Sequence, residues 1–102
     1  MIPYRKLLVV IAGFLLFTSA HAEVDKHARG LAASCSACHG TDGMSEGGMP
    51  ELAGLDRMLF IKSMKDFKSG ARPATVMHQH AKGYTDEEFE LLADFFAAQK
   101  RH

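Results

Sequence analysis

The stretch CSACHGTDG, residues 35–43, contains the only two cysteines of the chain, three positions apart and followed at once by a histidine. Residues three apart in a helical turn project to the same side of the helix. Cys35 and Cys38 therefore present two thiols together, with the imidazole of His39 beside them. The preceding residues, DKHARGLAAS, read as a helix that runs into the motif. The sequence thus predicts three reactive groups at the end of one helix.

Two interpretations of this spacing find little support elsewhere in the chain. A Cys35–Cys38 disulfide of the thioredoxin type normally opens a helix that follows a strand, whereas no strand pattern precedes Cys35. A structural zinc ion needs four ligands, commonly supplied in two pairs. The chain has no second cysteine pair, and His78 and His80 are spaced more closely than typical zinc-binding histidines.

Covalent attachment of haem c explains every position of the motif, because C-x-x-C-H is the spacing typical of it. Cys35 and Cys38 would form thioethers with the two vinyl groups along one edge of the porphyrin, and His39 would bind the iron from one face. Gly40 and Gly43 have no side chains, so the segment after His39 could pass close to the macrocycle. They also allow backbone angles that other residues avoid. The sequence therefore predicts one covalently bound haem c.

The first 22 residues have the three parts of a secretory signal. MIPYRK is a short positive start, LLVVIAGFLLF is an apolar run, and TSAHA ends in the small-x-small pattern that signal peptidase accepts. The run is shorter than the roughly twenty residues needed to span a bilayer, so an uncleaved membrane anchor is the less favoured alternative. We expect a signal peptide over residues 1–22 and a soluble, periplasmic domain over residues 23–102, without stable membrane insertion.

The exported part is small and nearly neutral. Loss of Arg5 and Lys6 from the 12 Lys+Arg leaves ten basic residues against 12 Asp+Glu, without the basic stripe that marks a nucleic-acid partner. A domain of about eighty residues builds only a marginal hydrophobic core and usually needs an additional staple. A haem would form most of that core.

The second axial position of the iron decides between electron transfer and gas or peroxide chemistry. Met44 and Met49 follow His39 too closely for an easy path to the opposite face of the ring. Met64 lies in the apolar stripe of a predicted helix, which indicates core packing.

Met77 follows the stretch SGARPATV. The residue before a proline avoids helical angles, so an extended strap could carry the Met77 sulfur across the face opposite His39. Met77 is therefore the predicted sixth ligand, with His78 or His80 as the alternative.

Capping signals place a middle helix over DRMLFIKSMKDFKSG. Asp56 is a suitable N-cap and Gly70 a suitable stop. Between them, Phe60, Met64 and Phe67 follow helical spacing and form one apolar stripe.

The last helix begins with a capping box formed by Thr85 and Glu88, and Tyr84 and Phe89 stand where a hydrophobic staple would form. Gly30, on the first helix, indicates either a close helix crossing or an exposed helix start. The predicted fold is all-α, with three to four helices wrapped around one haem. Its last helix is expected to pack Phe89, Leu92, Ala93 and Phe96 against Ala28, Leu31 and Ala32 of the first.

These features together resemble a known family. CSACHGTDG, then MPELAG, then Met77 ahead of an acidic-capped helix ending in LADFFAAQ are similar to the small bacterial class I monohaem cytochromes c, over nearly all of residues 23–102. FKSG, a methionine segment and AKGY are similar to the cytochrome subunit of flavocytochrome c sulfide dehydrogenase.

The resemblance implies a function. It implies Cys35 and Cys38 as thioether anchors, His39 and Met77 as axial ligands, and single-electron transfer rather than catalysis by this chain. It also implies a partner, the FAD-containing flavoprotein subunit that oxidises sulfide and passes electrons to the haem. The alternatives are a free monohaem carrier serving another redox protein, or a haem enzyme or sensor with an open sixth position.

Overall fold

The computed structural model describes residues 26–101, and the predicted signal segment, residues 1–22, lies outside them. Within the described range the chain forms helices and no strand, which confirms the all-α prediction. No helix in this range is long and apolar enough to cross a membrane. The helices, numbered in chain order, are α1 (residues 26–39), α2 (Arg57–Ser69), α3 (Met77–Lys82) and α4 (Asp86–Ala97).

The ends of α2 are where the capping signals predicted them. The Asp56 side chain accepts a hydrogen bond of 3.0 Å from the backbone N–H of Leu59, which satisfies a donor left free in the first turn of a helix. Gly70 adopts the left-handed conformation, with φ of 86°, that commonly ends a helix. The predicted apolar stripe faces inward, with Phe60 and Met64 buried.

The predicted capping box at the start of α4 is also present. Thr85 Oγ1 accepts a hydrogen bond of 3.1 Å from the Glu88 N–H, and the Glu88 carboxylate accepts one of 2.9 Å from the Thr85 N–H. The ring centroids of Tyr84 and Phe89 lie 6.4 Å apart, as expected for a hydrophobic staple. The start of α4 is therefore fixed by local sequence. Its inner face is fully buried and consists of Phe89, Leu92, Ala93 and Phe96.

The hydrophobic core lies around this face of α4. Phe96 packs on Phe60 of α2, with ring centroids 5.8 Å apart. From α1, Ala32 is part of the same buried cluster and Leu31 packs against it. Ala28 is buried too, so the predicted inward face of α1 is confirmed.

The structure departs from the prediction after α2. Residues 70–76 are irregular, as expected, but Met77 begins α3 instead of continuing an extended strap. The backbone N–H of His80 donates to the Val76 carbonyl over 3.2 Å. No side chain caps the start of α3, so the sequence carries no capping signal for it. The helix is stabilised by tertiary packing, since Ala81 is fully buried.

The expected close helix crossing at Gly30 is wrong. A Cβ at this position would meet nothing within 4 Å outside its own helix backbone, and Gly30 is exposed on α1. The other interpretation therefore holds, and this glycine lowers the helix stability by about 1 kcal/mol relative to alanine.

A glycine turn leads the chain away from α1. Gly40 and Gly43 have φ of 86° and 79°, a region that residues with side chains disfavour, and the predicted need for glycine at both positions is confirmed. A Cβ on Gly40 would lie 2.6 Å from the Met44 carbonyl oxygen, and one on Gly43 would lie 2.8 Å from Cδ1 of Phe96. The atoms that leave no room for a side chain at these two glycines thus belong to the protein itself, whereas the sequence predicts that the glycines lie beside the macrocycle.

Gly40→Ala is expected to destabilise the protein more than Gly48→Ala. Both glycines have positive φ, 86° and 75°, which alanine disfavours. The ψ of Gly40 is 162°, in a region that is essentially restricted to glycine. Only at Gly40 does the new Cβ also meet a backbone oxygen at 2.6 Å, whereas the space around Gly48 is open. Denaturant unfolding of the two variants measures the difference, and equal losses of stability would contradict this account of the turn.

Candidate functional site

The end of α1, the loop that follows it, α2 and α3 surround an apolar cavity. Its volume is about 430 Å³, within the range of roughly 300–1,000 Å³ that is typical of small-molecule sites. Carbon-rich side chains form most of its wall, including the rings of Phe60, Phe67 and Tyr84. A wall of this kind favours a ligand with a large apolar surface.

All four site residues predicted from the sequence line this cavity. Cys35, Cys38 and His39 come from the last turns of α1, and Met77 is the first residue of α3. The fold therefore brings together two segments that lie far apart in the sequence.

The other candidate ligands fall into two groups. His80, Met49 and Met64 line the cavity, whereas Met44 and His78 do not. Nδ1 of His78 is instead buried and has no hydrogen-bond partner among residues 26–101. Met64 is only 4% exposed and belongs to the buried core cluster, which confirms its predicted packing role.

His39 is buried and held in one orientation. Its Nδ1 lies 2.7 Å from the carbonyl oxygen of Pro50, and because a carbonyl can only accept, Nδ1 carries the proton and donates it. In the neutral ring this places the lone pair on Nε2, the atom then available to bind a metal. The role of Pro50 could not be predicted from the sequence, because the group that accepts the bond is a backbone carbonyl, which has no side-chain signature.

The two cysteines are free thiols in different environments, with Cys35 half-buried and Cys38 exposed. Burial raises the pKa of Cys35, although hydrogen bonds with Ser34 and Tyr84 partly oppose this shift. Among residues 26–101, no group of three or more His, Cys, Asp and Glu side chains could hold a metal ion. This part of the chain therefore offers no zinc site.

A tyrosine hydroxyl whose role the sequence did not reveal joins α1 to the segment before α4. The Tyr84 hydroxyl donates to the Leu31 carbonyl over 3.1 Å and lies 2.5 Å from Ser34 Oγ. Because the single Tyr84 proton is used on Leu31, Ser34 donates the second bond. Burial raises the pKa of Tyr84, so the phenol keeps its proton at neutral pH. These two bonds hold the residues just ahead of Cys35 against the cavity wall.

Comparison with known proteins finds cytochromes, although no protein-family model matches the chain. The chain is 45% identical to the cytochrome subunit of sulfide dehydrogenase of Chlorobaculum tepidum, over 71% of this chain and 67% of that protein. It is 33% identical to cytochrome c-553 of Helicobacter pylori, over 93% of this chain and 99% of that protein. It is 39% identical to cytochrome c4 of Pseudomonas aeruginosa, over 94% of this chain.

The extent of these matches differs among the relatives. The chain spans 49% of the length of cytochrome c4 but nearly all of cytochrome c-553. The match over the full length of a small cytochrome agrees with the all-α fold and with a C-x-x-C-H motif on the wall of an apolar cavity. The chain belongs to the class I c-type cytochromes.

Proposed function

We propose that the chain is a periplasmic one-electron carrier whose haem c is attached through Cys35 and Cys38 and ligated by His39 and Met77. The observation that carries this proposal is that a single apolar cavity is lined by all four side chains. Haem c supplies an iron that exchanges single electrons between two oxidation states. The tasks of the protein are to anchor the group, orient its ligands and exclude water.

The donors around the cavity fit a haem better than a bare metal ion. A bare ion would need several clustered donors, and residues 26–101 contain no cluster of three or more His, Cys, Asp and Glu side chains. Haem c needs only two thiols for attachment and one ligand on each face. Cys35 and Cys38 supply the thiols at the spacing that thioether attachment uses, and the hydrogen bond to Pro50 leaves Nε2 of His39 available.

The Pro50 carbonyl sets the properties of the proximal ligand. A hydrogen bond from the far ring nitrogen fixes the orientation of a metal-binding histidine and makes the ligating nitrogen more basic. The bond of 2.7 Å would give His39 both effects. A more basic ligand stabilises the oxidised iron, so this hydrogen bond would lower the reduction potential.

Met77 is the best candidate for the second axial ligand among the sulfur atoms on the wall. Met64 is committed to the buried cluster that α2 shares with α4. Met49 is 40% exposed and belongs to the loop that also contains the His39 partner, Pro50. Met77 is only partly buried and enters from the irregular segment before α3. His80, one helical turn further on, is the alternative.

A methionine in this position favours electron transfer over gas binding or peroxide chemistry, because the protein itself fills both axial sites.

Met77→Ala is expected to abolish the weak red-edge absorption band of sulfur-bound ferric iron and to let the reduced protein bind carbon monoxide at neutral pH. Met58→Ala is the matched control, since Met58 is 66% exposed and does not line the cavity. Visible spectra of the purified holoproteins test this. An unchanged band in Met77→Ala would transfer the role to another methionine of the cavity wall, Met49 or Met64, whereas absence of the band from the unsubstituted protein would favour His80.

The proposal includes export. We assign residues 1–22 to a cleaved signal peptide and residues 23–102 to the cytochrome domain. In an oxidising compartment a pair of thiols is not expected to stay free. Thioether bonds to the haem would account for both Cys35 and Cys38.

For the redox partner, we propose the flavoprotein subunit of a sulfide dehydrogenase. The support is the 45% identity with a protein described as the cytochrome subunit of such an enzyme. The match over 99% of a cytochrome c-553 supports the alternative, a free carrier that serves another redox protein.

Purification of the tagged protein from its native periplasm separates these two partners. We expect an FAD-containing protein to accompany it and sulfide to reduce its haem in that fraction. A holoprotein that elutes alone, and that sulfide reduces no faster than it reduces a control cytochrome, would favour the free carrier.

A further inference from the structure

The cavity wall contains a single guanidinium group and no lysine among residues 26–101. This group belongs to Arg72, in the irregular segment between α2 and α3. The other titratable side chains on the wall, besides the two cysteines, are His39, Glu51, His80 and Tyr84. Arg72 is thus the one permanently cationic side chain on a wall that is otherwise mostly apolar.

Three contacts hold Arg72 against α2. Its backbone N–H donates to the Asp66 carbonyl over 3.1 Å. Its guanidinium carbon lies 4.7 Å from the centroid of the Phe67 ring, which is itself on the cavity wall, and Nη1 donates to Ser63 Oγ over 3.3 Å. A guanidinium has five N–H donors, and the Ser63 hydroxyl accepts one of them. The arrangement therefore orients the planar group at the cavity while leaving further donors for a ligand.

The chemistry of such a ligand follows from the group itself. A guanidinium matches a carboxylate in a planar, two-point hydrogen-bonded pair. The haem of the proposed function has two propionate carboxylates, on the part of its rim away from the vinyl groups that Cys35 and Cys38 would bind. A carboxylate taken into an apolar site without a partner is strongly unfavourable, so a cation on the wall stabilises the bound group.

We infer that Arg72 binds a haem propionate and that Ser63 and Phe67 are positioning residues for its guanidinium. The inference rests on the proposed haem cofactor. It adds a polar anchor to the two thioethers and the axial ligands, and it gives the segment between α2 and α3 a role besides delivering Met77.

The pairing has a consequence for the iron. Without the cation, an uncompensated propionate anion close to the iron would favour the oxidised state, because net charge near a haem shifts its reduction potential. Removal of Arg72 is therefore expected to lower the reduction potential. The effect should be largest at low ionic strength, where charges are least screened.

The test compares holoproteins of Arg72→Gln, Arg72→Lys, His80→Gln and Arg57→Gln. Arg57 is the matched control, because it is a guanidinium paired with Asp94 at 2.7 Å and is not part of the cavity wall. Resonance Raman spectra report the propionate bending band, which responds to hydrogen bonding at the carboxylate, and redox titration at low salt gives the potential. Haem content is measured first, so failure of the cofactor assignment appears as protein without haem.

Arg72→Gln is expected to shift the propionate band and lower the potential, while Arg57→Gln changes neither. Arg72→Lys keeps the charge but loses the planar fork, so the band should shift while the potential falls less. If Arg72→Gln does not incorporate haem, the propionate band of Arg72→Lys tests the inference instead. In variants that still contain haem, an unchanged propionate band in both Arg72 variants would overturn the inference. A shift of this band found only in His80→Gln would overturn it too.

Discussion

The structure depends on an apolar cavity that a chain of this size cannot leave unfilled. Without a ligand, the mostly apolar wall of this cavity of about 430 Å³ would be exposed to water, which is unfavourable. The core cluster around Phe89 and Phe96 stabilises one side of the molecule. On the other side, the cofactor must supply the apolar packing. Folding and haem binding are therefore expected to be one process.

The same constraint explains how the attachment site is built. The hydrogen bond between His39 and Pro50 joins the end of α1 to the glycine-rich loop, and the loop is closed on itself. The backbone N–H groups of Leu52 and Ala53 both donate to the Gly43 carbonyl, over 2.9 and 3.1 Å. A loop fixed in this way holds the His39 imidazole in one orientation. With the proposed haem bound, it would keep the reorganisation during electron transfer small.

Local signals predicted much of this molecule, and tertiary contacts account for the rest. Side-chain capping at Asp56 and Thr85 could be read from the sequence because the residues concerned are neighbours. Helix α3 could not, since no side chain caps it and Ala81 is buried by distant residues. The Pro50 contact was missed for a related reason, because a backbone carbonyl carries no residue signature. The C-x-x-C-H motif identified the chemistry because its three groups lie within five residues.

The measurement that most directly tests the central claim is the mass of the exported, matured protein under denaturing conditions. We expect the mass of the polypeptide plus one haem, with Cys35 and Cys38 both resistant to thiol-specific alkylation. A colourless protein with the mass of the polypeptide alone, or with two thiols that react, would contradict it. In that case the proposed ligand pair, the electron-carrier function and the inferred propionate anchor would all be wrong.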